Sequence, residues 1–110
     1  MSSPANTPVE DTTMHSEQVQ AAIDDPMRIV LMQYLLAEGE ASFEHLTELV
    51  SEEIASTQPT DHDRVRAAIC LRVDHFPELE SKGLISISDE MISLEFLPGS
   101  TIRELKQAMP

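Results

Sequence analysis

The sequence predicts one small domain that is mainly α-helical and carries a single small β-hairpin. Over most of residues 17–80, apolar residues recur at intervals of three and four, the spacing that places them on one face of a helix. Over residues 85–96 they alternate with polar residues instead, as in short strands with one buried face. A chain of 110 residues is long enough to bury one modest core.

The first part of the chain has no such periodicity. Residues 1–15 (MSSPANTPVEDTTMH) are rich in Ser, Thr and Pro, and we expect them to form a disordered N-terminal arm. A short helix is predicted from Glu17 to Ile23, with Ser16 as its N-cap. The domain itself is assigned to residues 16–97, and residues 98–110 are assigned to a C-terminal helix.

The next helix has the clearest start in the sequence. Asp25 supplies a capping carboxylate, and Pro26 stands at the first helical position, where its missing N–H costs nothing. Gly39 is predicted to end this helix in a left-handed conformation. One face of the helix is apolar, so we expect it to be central to the core; that face consists of Met27, Val30, Leu31, Tyr34 and Leu35.

Two further helices are predicted from their caps. Ser42 is the predicted N-cap of the first, and Thr60 with Asp63 has the spacing of a capping box at the start of the second. Pro77 should kink or split the second helix just after His75 or Phe76. The apolar residues expected on its buried face are Val65, Ala68, Ile69, Val73, Phe76 and Leu79.

The hairpin follows Gly83, which is predicted to end the preceding helix. Ile85 and Ile87 define the buried face of its first strand, and residues 88–91 form a short polar turn. The second strand is predicted to bury Ile92, Leu94 and Phe96. The residues expected to be buried together in the core are Leu31, Leu35, Leu46, Val50, Ile69, Phe76, Leu79, Ile85 and Leu94.

The last helix is predicted to begin at Ser100 or Thr101, with Glu104 at capping-box spacing from Thr101. It presents Ile102, Leu105 and Met109 along one face. We interpret this stripe as a homodimer interface; the alternative is that it packs back on its own domain.

The net charge of −13, from 20 acids against 7 strong bases, exceeds what solubility requires of a domain this small. We favour adaptation to a cytoplasm of molar salt, where charge repulsion is screened within about 3 Å. The alternative is an acidic protein that binds a basic partner.

Residues 61–83 lack this excess of acids, with five acids and four bases. This segment is therefore the candidate for contact with an anionic partner.

Several other functions lack the residues they need. The longest apolar run, from Ile29 to Met32, is too short to span a membrane, and the lone Cys70 fits a reducing cytoplasm. The four histidines and Cys70 lack CxxC or HxxxH spacing, so no metal is expected. We also expect no cofactor and no enzymatic activity, because the sequence has no Gly-rich phosphate loop and no nucleophile with an identifiable base.

The predicted order, three helices followed by a hairpin and a helix, is that of a winged helix-turn-helix domain. AIDDPMRIVLMQYLLAEGEASFEHLTELV resembles the opening of ArsR-type winged-helix regulators, and HFPELESKGLI resembles the end of their recognition helix and entry to the wing. The closer resemblance, over about residues 17–96, is to short acidic winged-helix domains of undefined function from haloarchaea. The resemblance to ArsR-type regulators implies a transcriptional regulator that binds double-stranded DNA as a dimer.

Two functional hypotheses remain open, and we favour the first because DNA binding is the commonest use of the winged-helix fold. In the first, a DNA-binding regulator contacts DNA through the start of the helix near Asp61, using Gln58, Thr60, His62, Arg64 and Arg66. By resemblance to the ArsR-type regulators, the positions that contact DNA bases fall on Ile69, Cys70, Leu71, Val73 and Asp74.

In the second hypothesis, the domain binds protein through the segment Ile69-Cys70-Leu71 or through the C-terminal helix. Exposure of Cys70 and Leu71 as an apolar patch would favour it. Arg72 is expected to snorkel or to pair with an acid, and Asp89 and Glu90 place two acids at the tip of the wing.

Overall fold

The computed structural model describes residues 17–110, so the predicted arm at 1–15 and the predicted cap Ser16 lie outside the described residues. The described chain is mainly helical with a small antiparallel sheet, which confirms the coarse fold class. In chain order the helices are α1 (17–23), α2 (Pro26–Glu38), α3 (Phe43–Ala55), α4 (Asp61–Cys70), a π-helical turn (Leu71–His75), α5 (Phe76–Ser81) and α6 (Gly99–Ala108). The strands are β1 (Glu40–Ser42), β2 (Ile85–Ser88) and β3 (Met91–Leu94).

The predicted N-caps of α2, α3 and α4 are confirmed. The Asp25 carboxylate accepts a hydrogen bond from the Met27 N–H at 2.8 Å, and the Ser42 hydroxyl accepts one from the His45 N–H at 3.0 Å. Thr60 and Asp63 form the reciprocal capping box at the start of α4. Because the Thr60 N–H and hydroxyl both donate to the Asp63 carboxylate, they lower the pKa of Asp63 below its usual value.

The predicted split at Pro77 is also confirmed. Proline has no N–H to donate to the carbonyl four residues before it. The chain changes register over the π-helical turn, where the Phe76 N–H bonds the Leu71 carbonyl, and α5 begins at Phe76. Gly83, with a φ of 75°, ends this helical segment as predicted.

The sheet has the order β1-β3-β2, with both pairings antiparallel. The predicted hairpin is present, but β1 was not predicted, because Glu-Ala-Ser is too short to show an alternating pattern. Phe96 lies beyond the end of β3 and is 97% exposed, so its predicted place on the buried face is wrong. Ile87, predicted as buried, is 40% exposed.

The core joins α2 and α3 to the sheet and α6. Seven of the nine predicted core residues are buried, and Leu94 is half-buried against them. Ile69 is 56% exposed, so its prediction is wrong. The buried residues that were not in that predicted set include Met32, Leu71, Leu84, Ile92 and Leu105.

The final helix starts earlier than predicted and differs in its cap. It begins at Gly99 with no side-chain cap, and Thr101 lies buried in its first turn, so the predicted capping box is wrong. Leu105 and Met109 are buried within the chain, and Ile102 is half-buried against the core. The stripe predicted as a dimer interface therefore packs on its own domain. Within residues 17–110, the structure contains no helix with the length and apolarity needed to cross a membrane.

Candidate functional site

The helix α4 and the π-helical turn after it have two opposite apolar faces, and only one of them is buried. Ala67 and Leu71 are fully buried on the inner face, and α4 packs on α3. Each residue of the other face precedes a residue of the buried face by two positions, which places it about 200° away around the helix axis. It exposes 56% of Val65, 56% of Ile69 and 73% of Val73, and we call these three residues the α4 apolar face.

The α4 apolar face overturns one prediction, which placed Val65, Ile69 and Val73 on the buried face of the helix. The small Ala67 occupies the buried face of α4, which allows close packing of the helix on α3. His75 continues that buried face, and its polar ring interrupts the pattern that the sequence would otherwise show. The stripe with more aliphatic surface therefore faces solvent.

The predicted docking segment Ile69-Cys70-Leu71 is only partly on the surface. Leu71 is fully buried and Cys70 is half-buried, so these two residues form no exposed patch. Ile69 alone of the three is largely exposed. The exposed apolar surface thus extends along α4 from Val65 to Val73 rather than around the segment 69–71.

The five residues predicted to bind DNA lie at the start of α4, and four of them are exposed: Gln58, Thr60, His62 and Arg66. Arg64 is half-buried and bonds two carboxylates, with its Nε 2.8 Å from Glu48 and its Nη1 3.1 Å from Asp61. The Glu48 carboxylate raises the pKa of Arg64 above its usual value. Among residues 17–110, Arg66 has no ion-pair or hydrogen-bond partner.

Arg72 connects the helical segment to the tip of the hairpin, which confirms its predicted pairing with an acid. Its Nη2 lies 3.2 Å and 3.4 Å from the two carboxylate oxygens of Glu90. Its guanidinium carbon lies 3.8 Å from the centre of the Phe43 ring, in cation–π geometry. Two of the three arginines in residues 61–83 are therefore held by carboxylates of their own chain.

A groove of about 220 Å³ opens beside Arg72, between the hairpin and the helical segment around Pro77. Phe43 and Phe76 pack edge to face at its floor, with ring centres 6.0 Å apart. Its rim carries three carboxylates, those of Glu80, Asp89 and Glu90. This combination of an apolar floor and an acidic rim was not predicted, because its residues come from α3, the helices after α4 and the hairpin.

A polar cluster in which buried Arg28 contacts buried His75 and exposed Asp74 was also not predicted. Arg28 donates from Nε to His75 Nδ1 at 3.0 Å, from Nη1 to the Ala21 carbonyl at 3.3 Å, and from Nη2 to Asp74 at 3.4 Å. Because the arginine donates to Nδ1, the neutral imidazole carries its proton on Nε2. This cluster fixes the π-helical turn against α1 and α2, which is a structural role.

The pKa of His75 is lowered, first by burial of the imidazole. The charge of Arg28 lowers it further, while the carboxylates of Asp25 and Asp74 act in the opposite direction. Protonation of Nδ1 would also turn the acceptor of the Arg28 bond into a second donor.

The described residues contain no group of three His, Cys, Asp or Glu side chains suited to a metal ion.

No family model, curated protein or solved structure matches this chain. The surface chemistry of residues 17–110 is therefore the basis on which a function can be assigned.

Proposed function

We propose that the chain is a non-enzymatic winged-helix domain that binds a protein partner through the α4 apolar face. In this assignment α4 stands in the place of the recognition helix, and β2 with β3 forms the wing. The order of helices and hairpin along the chain supports the fold assignment.

The observation that carries the proposal is the exposure of Val65, Ile69 and Val73 together on one face of one helical segment. Single exposed aliphatic residues are common on protein surfaces, but an aligned row of them is typical of a contact surface. Burying the exposed part of each side chain against a partner would contribute about 1–2 kcal/mol. While the α4 apolar face lies in water it does not stabilise the chain, because the core packs against the opposite side of α4.

The charged groups around α4 support a protein partner over DNA. Arg64 and Arg72 would have to leave Glu48, Asp61 and Glu90 to reach phosphates. Removal of these contacts would leave carboxylates beside the DNA, where they repel it. Binding by counterion release also weakens steeply as salt rises.

A DNA-binding regulator is the second candidate, because one observation favours it. Gln58, His62 and Arg66 are exposed at the start of α4, where polar side chains can reach phosphates and bases. A homodimer on DNA would have to use a surface other than Leu105 and Met109, since both are buried in their own chain.

We also infer that the domain works in the cytoplasm of a halophilic archaeon. The excess of 20 acids over 7 strong bases supports this assignment, because dense surface carboxylates keep the protein surface hydrated in molar salt. Apolar contact is the interaction that such salt does not screen, which agrees with docking through Val65, Ile69 and Val73.

The test is capture from a native extract in molar KCl, with protein and DNA identified from the same sample. We compare the wild-type chain with Ile69→Glu, which places a charge in the α4 apolar face. Gln107→Glu is the matched control, since it adds the same charge at an exposed position on α6. We expect one protein partner to be retained by the wild type and the control and lost from Ile69→Glu.

Two results would contradict the proposal. One is retention of the same partner by Ile69→Glu, with circular dichroism showing all three proteins folded. The other is specific enrichment of DNA instead of protein, which would transfer the function to the second candidate.

A further inference from the structure

We propose that the groove beside Arg72 binds a cationic side chain, arginine above all, supplied by a protein partner. The identity of the partner as a protein rests on the proposed function, whereas the chemistry of the groove stands on its own geometry. The occupant is a basic segment of another protein, and the groove holds one of its side chains.

The size of the groove indicates a side chain rather than a metabolite. Its volume is about 220 Å³, below the roughly 300–1,000 Å³ of sites that bind small molecules. Its apolar lining suits the aliphatic stem of a long basic residue, which packs along hydrocarbon while the charge stays at the rim. That lining consists of Phe43, Phe76, Pro77, Ile87 and Ile92.

The mouth of the groove already holds one guanidinium, that of Arg72. The group lies over the Phe43 ring at 3.8 Å and bonds both oxygens of Glu90 at 3.2 and 3.4 Å. An aromatic face together with a carboxylate is the arrangement that binds arginine in proteins. The Arg72 side chain is 56% exposed, so an incoming guanidinium can reach the mouth of the groove from solvent.

The charges around the groove favour a cation. Glu90 pairs with Arg72, while Glu80 and Asp89 are exposed and have no ion-pair partner among residues 17–110. The lining is therefore net negative. A second copy of this chain is a poor occupant, because it has only 7 strong bases, and Arg28, Arg64 and Arg72 already pair with carboxylates of their own chain.

The groove continues from the α4 apolar face. Val73 belongs to that face and Pro77 lines the groove; the two are four residues apart and so lie on the same side of the helical segment. One partner segment can therefore place an apolar residue on Val73 and a basic residue in the groove.

The test is a titration of the ¹⁵N-labelled protein with N-acetyl-arginine amide, followed by NMR. N-acetyl-citrulline amide is the control probe, since it has almost the same shape without the charge. Both titrations use the lowest KCl concentration at which circular dichroism shows a folded protein. We expect saturable shifts with the arginine probe alone, at the amides of Phe43, Phe76 and Ile87.

Three variants test the chemistry of the groove. Glu80→Gln and Asp89→Asn should each weaken arginine binding about two- to fivefold, the range of exposed ion pairs. Arg72→Gln should strengthen binding, because it leaves Phe43 and Glu90 open to the probe. Glu53→Gln is the matched control, since it removes one exposed carboxylate of α3 outside the groove and should change nothing.

Equal binding of citrulline, shifts at other residues, or weaker binding by Arg72→Gln would overturn the inference. So would a loss in Glu80→Gln and Asp89→Asn no greater than that in Glu53→Gln. Failure of the groove inference can be distinguished from failure of the proposed function. If the arginine probe binds but Ile69→Glu still captures the partner, the docking proposal alone is wrong. If partner capture requires Ile69 but the probe does not bind, the groove inference alone is wrong.

Discussion

Two alanine substitutions, two residues apart on one helical segment, should have very different effects on stability. Leu71 is fully buried, whereas Ile69 is 56% exposed. Leu71→Ala removes a large side chain from the core and should cost about 2–5 kcal/mol in the free energy of unfolding. Ile69→Ala should change it by no more than about 0.5 kcal/mol, since alanine's better helix propensity offsets the small loss of contact.

Urea denaturation followed by circular dichroism, at one fixed molar KCl concentration, measures both values. Urea is uncharged, so it unfolds the chain without changing the ionic strength on which an acidic protein depends. With a slope of about 1–3 kcal/mol per molar urea, Leu71→Ala should lower the midpoint by roughly 0.7–5 M. The midpoint of Ile69→Ala should stay within about 0.5 M of the wild type.

The comparison decides which face of α4 is buried. A cost for Ile69→Ala equal to that for Leu71→Ala would mean that Ile69 belongs to the core, as its spacing in the sequence suggests. The α4 apolar face would then not exist, and the docking proposal would lose its basis.

Three further predictions concern pH, salt and DNA. Because His75 has a lowered pKa in the folded state, its contribution to stability is present above the usual histidine pKa of about 6.5 and is lost as pH falls below it; His75→Gln should flatten that slope in urea melts. The melting temperature should rise from low salt to molar KCl as repulsion within a chain of net charge −13 is screened, and a flat curve would remove the argument for halophily. If DNA is bound at all, Arg66→Ala should weaken binding equally for all sequences, as expected for a phosphate contact, and Arg64→Ala should change binding less because Glu48 already holds that guanidinium; wild-type binding by Arg66→Ala would exclude this contact.

Features determined by neighbouring residues could be predicted from the sequence. The caps at Asp25, Ser42 and Thr60 depend on side chains within three residues of the backbone groups they bond. The break before Pro77 depends on one missing N–H. These signals located the starts of α2, α3 and α4 and the end of the helical segment before α5.

Features determined by distant residues could not be predicted. The side of α4 that is buried depends on how closely α3 approaches Ala67, which no local pattern contains. The partner of Arg28 is His75, 47 residues away, so no local pattern indicates that this arginine is buried. The groove likewise brings Phe43 beside the hairpin, and it exists only once the sheet has formed.

Site-specific photocrosslinking most directly tests whether the α4 apolar face contacts protein. A benzoylphenylalanine residue replaces Ile69 in one variant and the exposed Gln107 of α6 in another, and each is irradiated in native extract at molar KCl. We predict a discrete protein adduct from position 69 that is absent from position 107. An adduct with DNA from position 69, or equal protein labelling from both positions, would contradict docking through α4.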